Sequence, residues 1–93
     1  MQPSSQSVTD YAITFARSAR RELQALESGL AGRILQKIEA LATHPRPRGS
    51  RKIQGAQDLW RIRIGEYRVI YKVADAQHLI DVVAVRHRRD AYR

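Results

Sequence analysis

The chain has 93 residues, no cysteine and a formal net charge of +8. That length fits one small domain with a modest core, and the missing cysteines exclude disulfides and thiolate metal sites. No apolar run approaches the ~18 residues of a membrane span, and the polar start MQPSSQSVTD lacks a signal-peptide core, so a cytoplasmic protein is expected.

In chain order, residues 1–7 read as a polar tail and residues 8–93 as a single domain. Val8 to Phe15 has strand character, with Tyr11, Ile13 and Phe15 on one side. Ser18 is positioned to cap a helix from about Ala19 to Glu27, and Gly29 punctuates it. A second helix is predicted from about Ala31 to Thr43, where Ile34, Leu35, Ile38 and Leu41 recur at helical spacing. The segment His44 to Ser50 holds two prolines and a glycine and reads as a loop. Arg48, and Arg51 and Lys52 just beyond it, make this region basic.

Leu59 to Val73, LWRIRIGEYRVIYKV, reads as a β-hairpin turning at Gly65-Glu66. Alternation puts Trp60, Ile62, Ile64, Tyr67, Val69, Tyr71 and Val73 on one apolar face. Arg61 and Arg63 fall on the other, and a two-residue loop sets Arg63 directly opposite Arg68. Like charges so placed destabilise a sheet, which suggests a surface that meets a polyanion. A turn at Ala74 to Gln77 leads to a third, largely apolar strand, His78 to Val85, expected to be central. The chain ends in Arg86-His87-Arg88-Arg89-Asp90-Ala91-Tyr92-Arg93. The element order β-α-α-β-β-β predicts an α+β domain, a mostly antiparallel sheet packed on an αα-hairpin.

The charge is unevenly spread. Residues 44–72 hold eight Lys/Arg against two Asp/Glu, whereas residues 1–43 are nearly balanced. Fourteen of the seventeen basic residues are arginine, whose planar fork suits phosphate. Nucleic acid is the partner this pattern points to; a solubilising surface would produce the same net charge. Trp60, Tyr67 and Tyr71 face the helices and read as core. His44 and His78 carry no assigned role, and three dispersed histidines without cysteine do not suggest a metal site.

The order of PRP followed by Gly, then LWRIRIGEYRVIY, then HRRDAYR resembles the RelE/ParE toxin superfamily and its RelE branch, from Tyr11 to Arg93. The resemblance implies a RelE-like, microbial-RNase-like fold. It also implies the toxin of a bacterial toxin–antitoxin module, a ribosome-dependent endoribonuclease that cuts mRNA in the 30S A site. The alternative within the superfamily is a ParE-like toxin that inhibits DNA gyrase without cutting RNA. On the RelE reading, Arg61, Arg63, Arg68, His87, Arg88 and Tyr92 are the implied catalytic set. Arg48, Arg51, Lys52, Arg86 and Arg89 would bind RNA, with no metal or cofactor. The implied partners are a RelB-like antitoxin that wraps the toxin, and the ribosome with its mRNA and rRNA. Arg86 replaces the glycine of a Gly-His-Arg element, and two departures stand out: Tyr92 follows Arg88 by four residues, closer than in some relatives, and the sequence ends at Arg93 without the long C-terminal helix expected from some of them.

Metal-independent cleavage would use the ribose 2′-hydroxyl against its own 3′-phosphate. It needs in-line placement, charge stabilisation, a base and an acid. Guanidinium groups supply charge but do not give up a proton. Imidazole does so near neutral pH, which makes His87 the candidate base; Tyr92 could donate a proton or stack.

Overall fold

The computed structural model describes residues 10–89. Its elements are β1 (Ala12–Phe15), α1 (Arg17–Gln24), α2 (Ser28–Ala40), β2 (Arg51–Lys52), β3 (Leu59–Ile64), β4 (Tyr67–Ala74) and β5 (Leu79–His87). They form a five-stranded sheet of order β1-β5-β4-β3-β2. β1 runs parallel to β5, and every other neighbour pair is antiparallel. The α+β class and the helical pair on one sheet face match expectation, and β5 is interior to the sheet as its apolar run required. Val8 and Thr9, at the start of the predicted first strand, lie outside the described residues.

The helix starts differ from the sequence reading. α1 begins at Arg17 with Ala16 as its N-cap and no side-chain cap. Ser18 instead donates its hydroxyl proton to the Val83 carbonyl at 3.0 Å. α2 begins at Ser28, capped by Glu27, whose carboxylate accepts from the Gly29 and Leu30 amides at 2.9 and 3.0 Å. Those two hydrogen bonds hold the Glu27 carboxyl below its ordinary pKa. Gly29 therefore lies inside the first turn of α2. The glutamate is an unusual cap, which is why the boundary was misplaced by three residues.

The core lies between the helices and one face of the sheet. Ile34 and Ile38 of α2 and its C-cap Leu41 cluster with Val69, Tyr71, Ile80 and Val82, all essentially inaccessible. Their spacing of four and three along α2 gives the single apolar stripe that a helix on a sheet requires. The hairpin register is as the alternation predicted, with Ile64 opposite Tyr67 and Arg63 opposite Arg68. Gly65 takes a positive φ of 59° at the turn, where a side chain would be strained. A bulge at Ile70/Tyr71 shifts the β4–β5 register by one residue of β5, so Val83 has no direct partner on β4. Two residues expected in a loop, Arg51 and Lys52, pair with Arg61 and Trp60 as a short edge strand.

Candidate nucleic-acid interface

The hairpin positions the arginines. Because β3 and β4 bury one face against the helices, alternation forces Arg61, Arg63 and Arg68 onto the face opposite them. β2 adds Arg51 directly across from Arg61, and β5 sets Arg86 across from Arg68. The result is two cross-strand rows, Arg63–Arg68–Arg86 and Arg51–Arg61–Ile70.

The surface is concave. Ser50 to Gln54, along the β2 edge, lines a groove of about 800 Å³ together with Arg61, Arg68 and Ile70. A second hollow of about 280 Å³ adjoins it, sharing Arg51, Arg61 and Arg68 and adding Arg63 and Gly49. Arg63 and Arg51 are exposed, and Arg61 is half-buried. Arg68 is only 6 % exposed, the one buried charged residue of the described chain. The register places Arg68 between Arg63 and Arg86 on the floor of this groove, and low solvent access strengthens the charge contacts of a guanidinium so placed.

The remaining sequence candidates separate into groups. Arg48 is exposed on the loop before β2 and lines a third hollow of about 340 Å³ together with Arg63 and His44. Lys52 is exposed at the edge of the large groove. Arg88 follows β5. Its amide donates to the Glu66 carbonyl at 2.7 Å, and its Nε lies 3.3 Å from the Glu66 carboxylate, both side chains exposed. Arg89 is exposed, and its amide donates to His87 Nδ1 at 3.2 Å. Tyr92 lies outside the described residues.

His87 does not join the arginines. Its register partner is Tyr67, on the helix-facing side, and the two rings meet edge to face at 5.2 Å. The same alternation that sends Arg86 to the open face sends His87 to the other, so the candidate base and the charge cluster stand on opposite sides of the sheet. This was readable from the sequence once His87 is counted as part of the last strand, which runs two residues beyond the predicted end.

Arg86 is diverted as well. Its Cα stands in the arginine row, but its Nε lies 3.3 Å from Glu22 Oε2 on α1. The other Glu22 oxygen accepts from the Val85 amide at 2.7 Å. β1 pairs with β5 only as far as Val82. Beyond that point Ser18 and Glu22 of α1 satisfy the Val83 carbonyl and Val85 amide in place of a strand. The role of Glu22 depends on where β1 stops, which no local sequence pattern records.

The loop that carries Arg48 is fastened at two points. The Tyr71 hydroxyl donates to the Pro45 carbonyl at 2.8 Å, and burial pushes the Tyr71 pKa from 10.0 up to about 12. Asp75 accepts from Arg46 and from the Tyr11 hydroxyl, both at 2.6 Å. The Arg46 hydrogen bond is the main reason the Asp75 carboxyl sits below its ordinary pKa, and Tyr11 is raised in turn by its bond to Asp75. The Arg46 guanidinium also lies 5.3 Å from the Trp60 ring centre, a cation–π contact. Among the described residues no three His, Asp or Glu side chains converge as a metal-binding group, and no helix is long and apolar enough to cross a membrane.

An α+β domain whose uncovered sheet face carries clustered arginines is the class that fold and surface define. Residues 13–92 match the family model described as the ParE toxin of the type II toxin-antitoxin system, parDE. The chain is 31% identical over 86 residues to a RelE-like toxin protein of Escherichia coli, spanning 88% of this chain and 90% of that protein. It is 26% identical over 84 residues to toxin RelE of Mycobacterium tuberculosis, spanning 89% and 87%. Among solved structures it is similar to the archaeal RelE–RelB complex of Pyrococcus horikoshii, with a TM-score of 0.76 at 30% identity, covering 85% of this chain and 96% of that one. The chain belongs to the RelE/ParE superfamily, as a RelE-like toxin of a toxin–antitoxin module.

Proposed function

We propose that this toxin is a ribosome-dependent endoribonuclease that cuts mRNA in the A site. The observation that carries the reading is the cluster of Arg61, Arg63 and Arg68 in a concave, uncovered sheet face. In the reaction the ribose 2′-oxygen bonds to the adjacent phosphorus and the bond from phosphorus to the 5′-oxygen breaks. The products are a 2′,3′-cyclic phosphate and a 5′-hydroxyl; the 2′-hydroxyl loses its proton and the 5′-oxygen gains one. Arg61, Arg63 and Arg68 stabilise the charge on the five-coordinate phosphorus, a term worth about 10²–10³ in rate per well-aimed donor. Arg88 and Tyr92 remain candidates for the far side of the scissile group. With His87 turned to the helix side, the described residues of the groove offer no imidazole. In-line alignment and proton movement then fall largely to the ribosome-bound RNA and to Tyr92. Arg51 and Arg48 extend the phosphate track, and Lys52, whose register partner is Trp60, adds charge at its edge. By analogy with the Pyrococcus horikoshii relative, solved with RelB, an antitoxin partner covers the toxin until release.

The matched family model, described for ParE toxins, favours a second reading, inhibition of DNA gyrase without RNA cleavage. Primer extension on a defined mRNA with purified protein separates them. Cuts within the A-site codon that require programmed ribosomes and disappear in Arg63→Ala support the endoribonuclease. Growth arrest in cells with no cutting in any condition moves the assignment to gyrase.

A further inference from the structure

The arginine row is not open at both ends. It runs Arg63–Arg68–Arg86 by register, yet the Arg86 guanidinium is turned off the row to Glu22. Most surface ion pairs are weak because both side chains must be ordered to form them. Here one partner is ordered already: Glu22 Oε1 is held by the Val85 amide at 2.7 Å, on the strand edge that β1 leaves unpaired. The carboxylate is therefore a fixed negative charge at the β5 end of the row. At the opposite end no acid among the described residues is held in this way. The groove walls beyond β3 supply Arg51 and Lys52, both exposed, and the only acid of β2 through β4 and their connections beside Asp58 is Glu66, at the hairpin turn.

We infer that Glu22 bounds the polyanion track: it withdraws Arg86 from phosphate binding and repels phosphate from β5, so that the nucleic-acid backbone runs from Arg63 and Arg68 toward β2 rather than across β5. This rests on the proposed RNA-binding role of the same face and adds the path that the strand takes over it. Glu22 is a positioning residue, acting through Arg86. Its consequence is a count: Arg51, paired with Arg61 on this face, contacts phosphate, and Arg86 does not.

Salt dependence reads that count directly. For single strands, each neutralised phosphate contributes about 0.7 to the slope of log affinity against log salt. The measurement is fluorescence anisotropy of a labelled single-stranded RNA oligonucleotide with the full chain, between about 50 and 200 mM salt. Arg86→Ala leaves the slope of the parent protein unchanged, whereas Arg51→Gln lowers it by about 0.7. Glu22→Gln, whose amide oxygen can still accept from Val85, steepens the slope by about 0.7 as Arg86 rejoins the row. The double variant Glu22→Gln/Arg86→Ala returns to the parent slope, a reversal that a purely structural role for Glu22 would not produce. A matching melting curve for Glu22→Gln keeps the comparison valid; if that variant melts early, Glu22→Gln/Arg86→Gln and Arg86→Ala alone still decide the count. A drop in slope for Arg86→Ala, or no change in Glu22→Gln, overturns the inference. If Arg63→Ala itself leaves the slope unchanged, the face is not an anion site, and the proposed function fails instead.

Discussion

Replacing Tyr71 by Phe tests the anchoring of the basic loop. Tyr71 is fully buried, and its hydroxyl donates to the Pro45 carbonyl at 2.8 Å. Removing the donor leaves that carbonyl short of a partner, which costs about 1–2 kcal/mol, or about 5–10 °C in melting temperature for a domain of this size. A second signature lies at high pH. The folded pKa is raised from 10.0 to about 12, so the folded state holds the phenolic proton more tightly than the unfolded chain does. The stability this represents is complete below pH 10 and is lost as pH rises through the folded value. A shift of two units corresponds to about 2–3 kcal/mol. Tyr11 is also raised, by its hydrogen bond to Asp75, but it is present in both proteins and drops out of the difference. Urea unfolding at intervals from neutral pH to beyond 12 should show a parent protein that weakens steeply across that window and a Tyr71→Phe protein that starts lower and weakens less. Equal alkaline losses in the two would mean that the Tyr71 hydroxyl is not held as described, and that the loop bearing Arg48 is fastened by Arg46 and Asp75 alone.

Arg68→Ala should abolish cleavage but also destabilise the domain by about 1–2 kcal/mol in urea, because the side chain is 6 % exposed; unchanged stability would contradict that burial. Trp60→Ala should cost about 2–3 kcal/mol, less than truncation of Tyr71, since Trp60 lies at the margin of the core under Arg46. Gly65→Ala should cost about 1 kcal/mol from backbone strain alone, since φ is 59° and a Cβ there meets no neighbour; a stabilised variant would mean the turn had rearranged. Arg63→Ala should cut ribosome-dependent cleavage about 10²–10³-fold while raising the urea midpoint slightly.

The hairpin was legible because two-residue loops fix register and alternation fixes faces; the register and faces stand as read, while Trp60 and Tyr67 lie at the margin of the core and Arg68 is buried. The helix boundaries were less so. A glutamate capped α2, and Ser18, a good cap by type, was drawn to the unpaired Val83 carbonyl. Both outcomes depend on tertiary partners that no local pattern records. β2 is two residues long, too short to carry a period. The open-face arginines were found from sequence. The position of His87 was missed by ending the last strand at Val85, and the capture of Arg86 by Glu22 depends on a residue 64 positions away.

The gain expected in Arg63→Ala follows from what the hairpin tolerates. Arg63 and Arg68 are directly opposed, and the register of a two-residue loop makes theirs the close, non-hydrogen-bonded kind of pair, with Cα atoms ~4.5 Å apart. Opposed like charges weaken a strand pair by about 0.2–1 kcal/mol. The other face compensates, since Val69 and Tyr71 on β4 and Ile62 and Ile64 on β3 are buried in one core cluster with Ile34 and Ile38 of α2. The two faces of one hairpin thus divide the work: the helix side supplies stability, and the open side spends a small part of it to hold positive charge where a phosphate can enter. Removing Arg63 should therefore separate stability from activity, raising one as it lowers the other. A variant that lost both would place Arg63 in the packing rather than in the charge cluster.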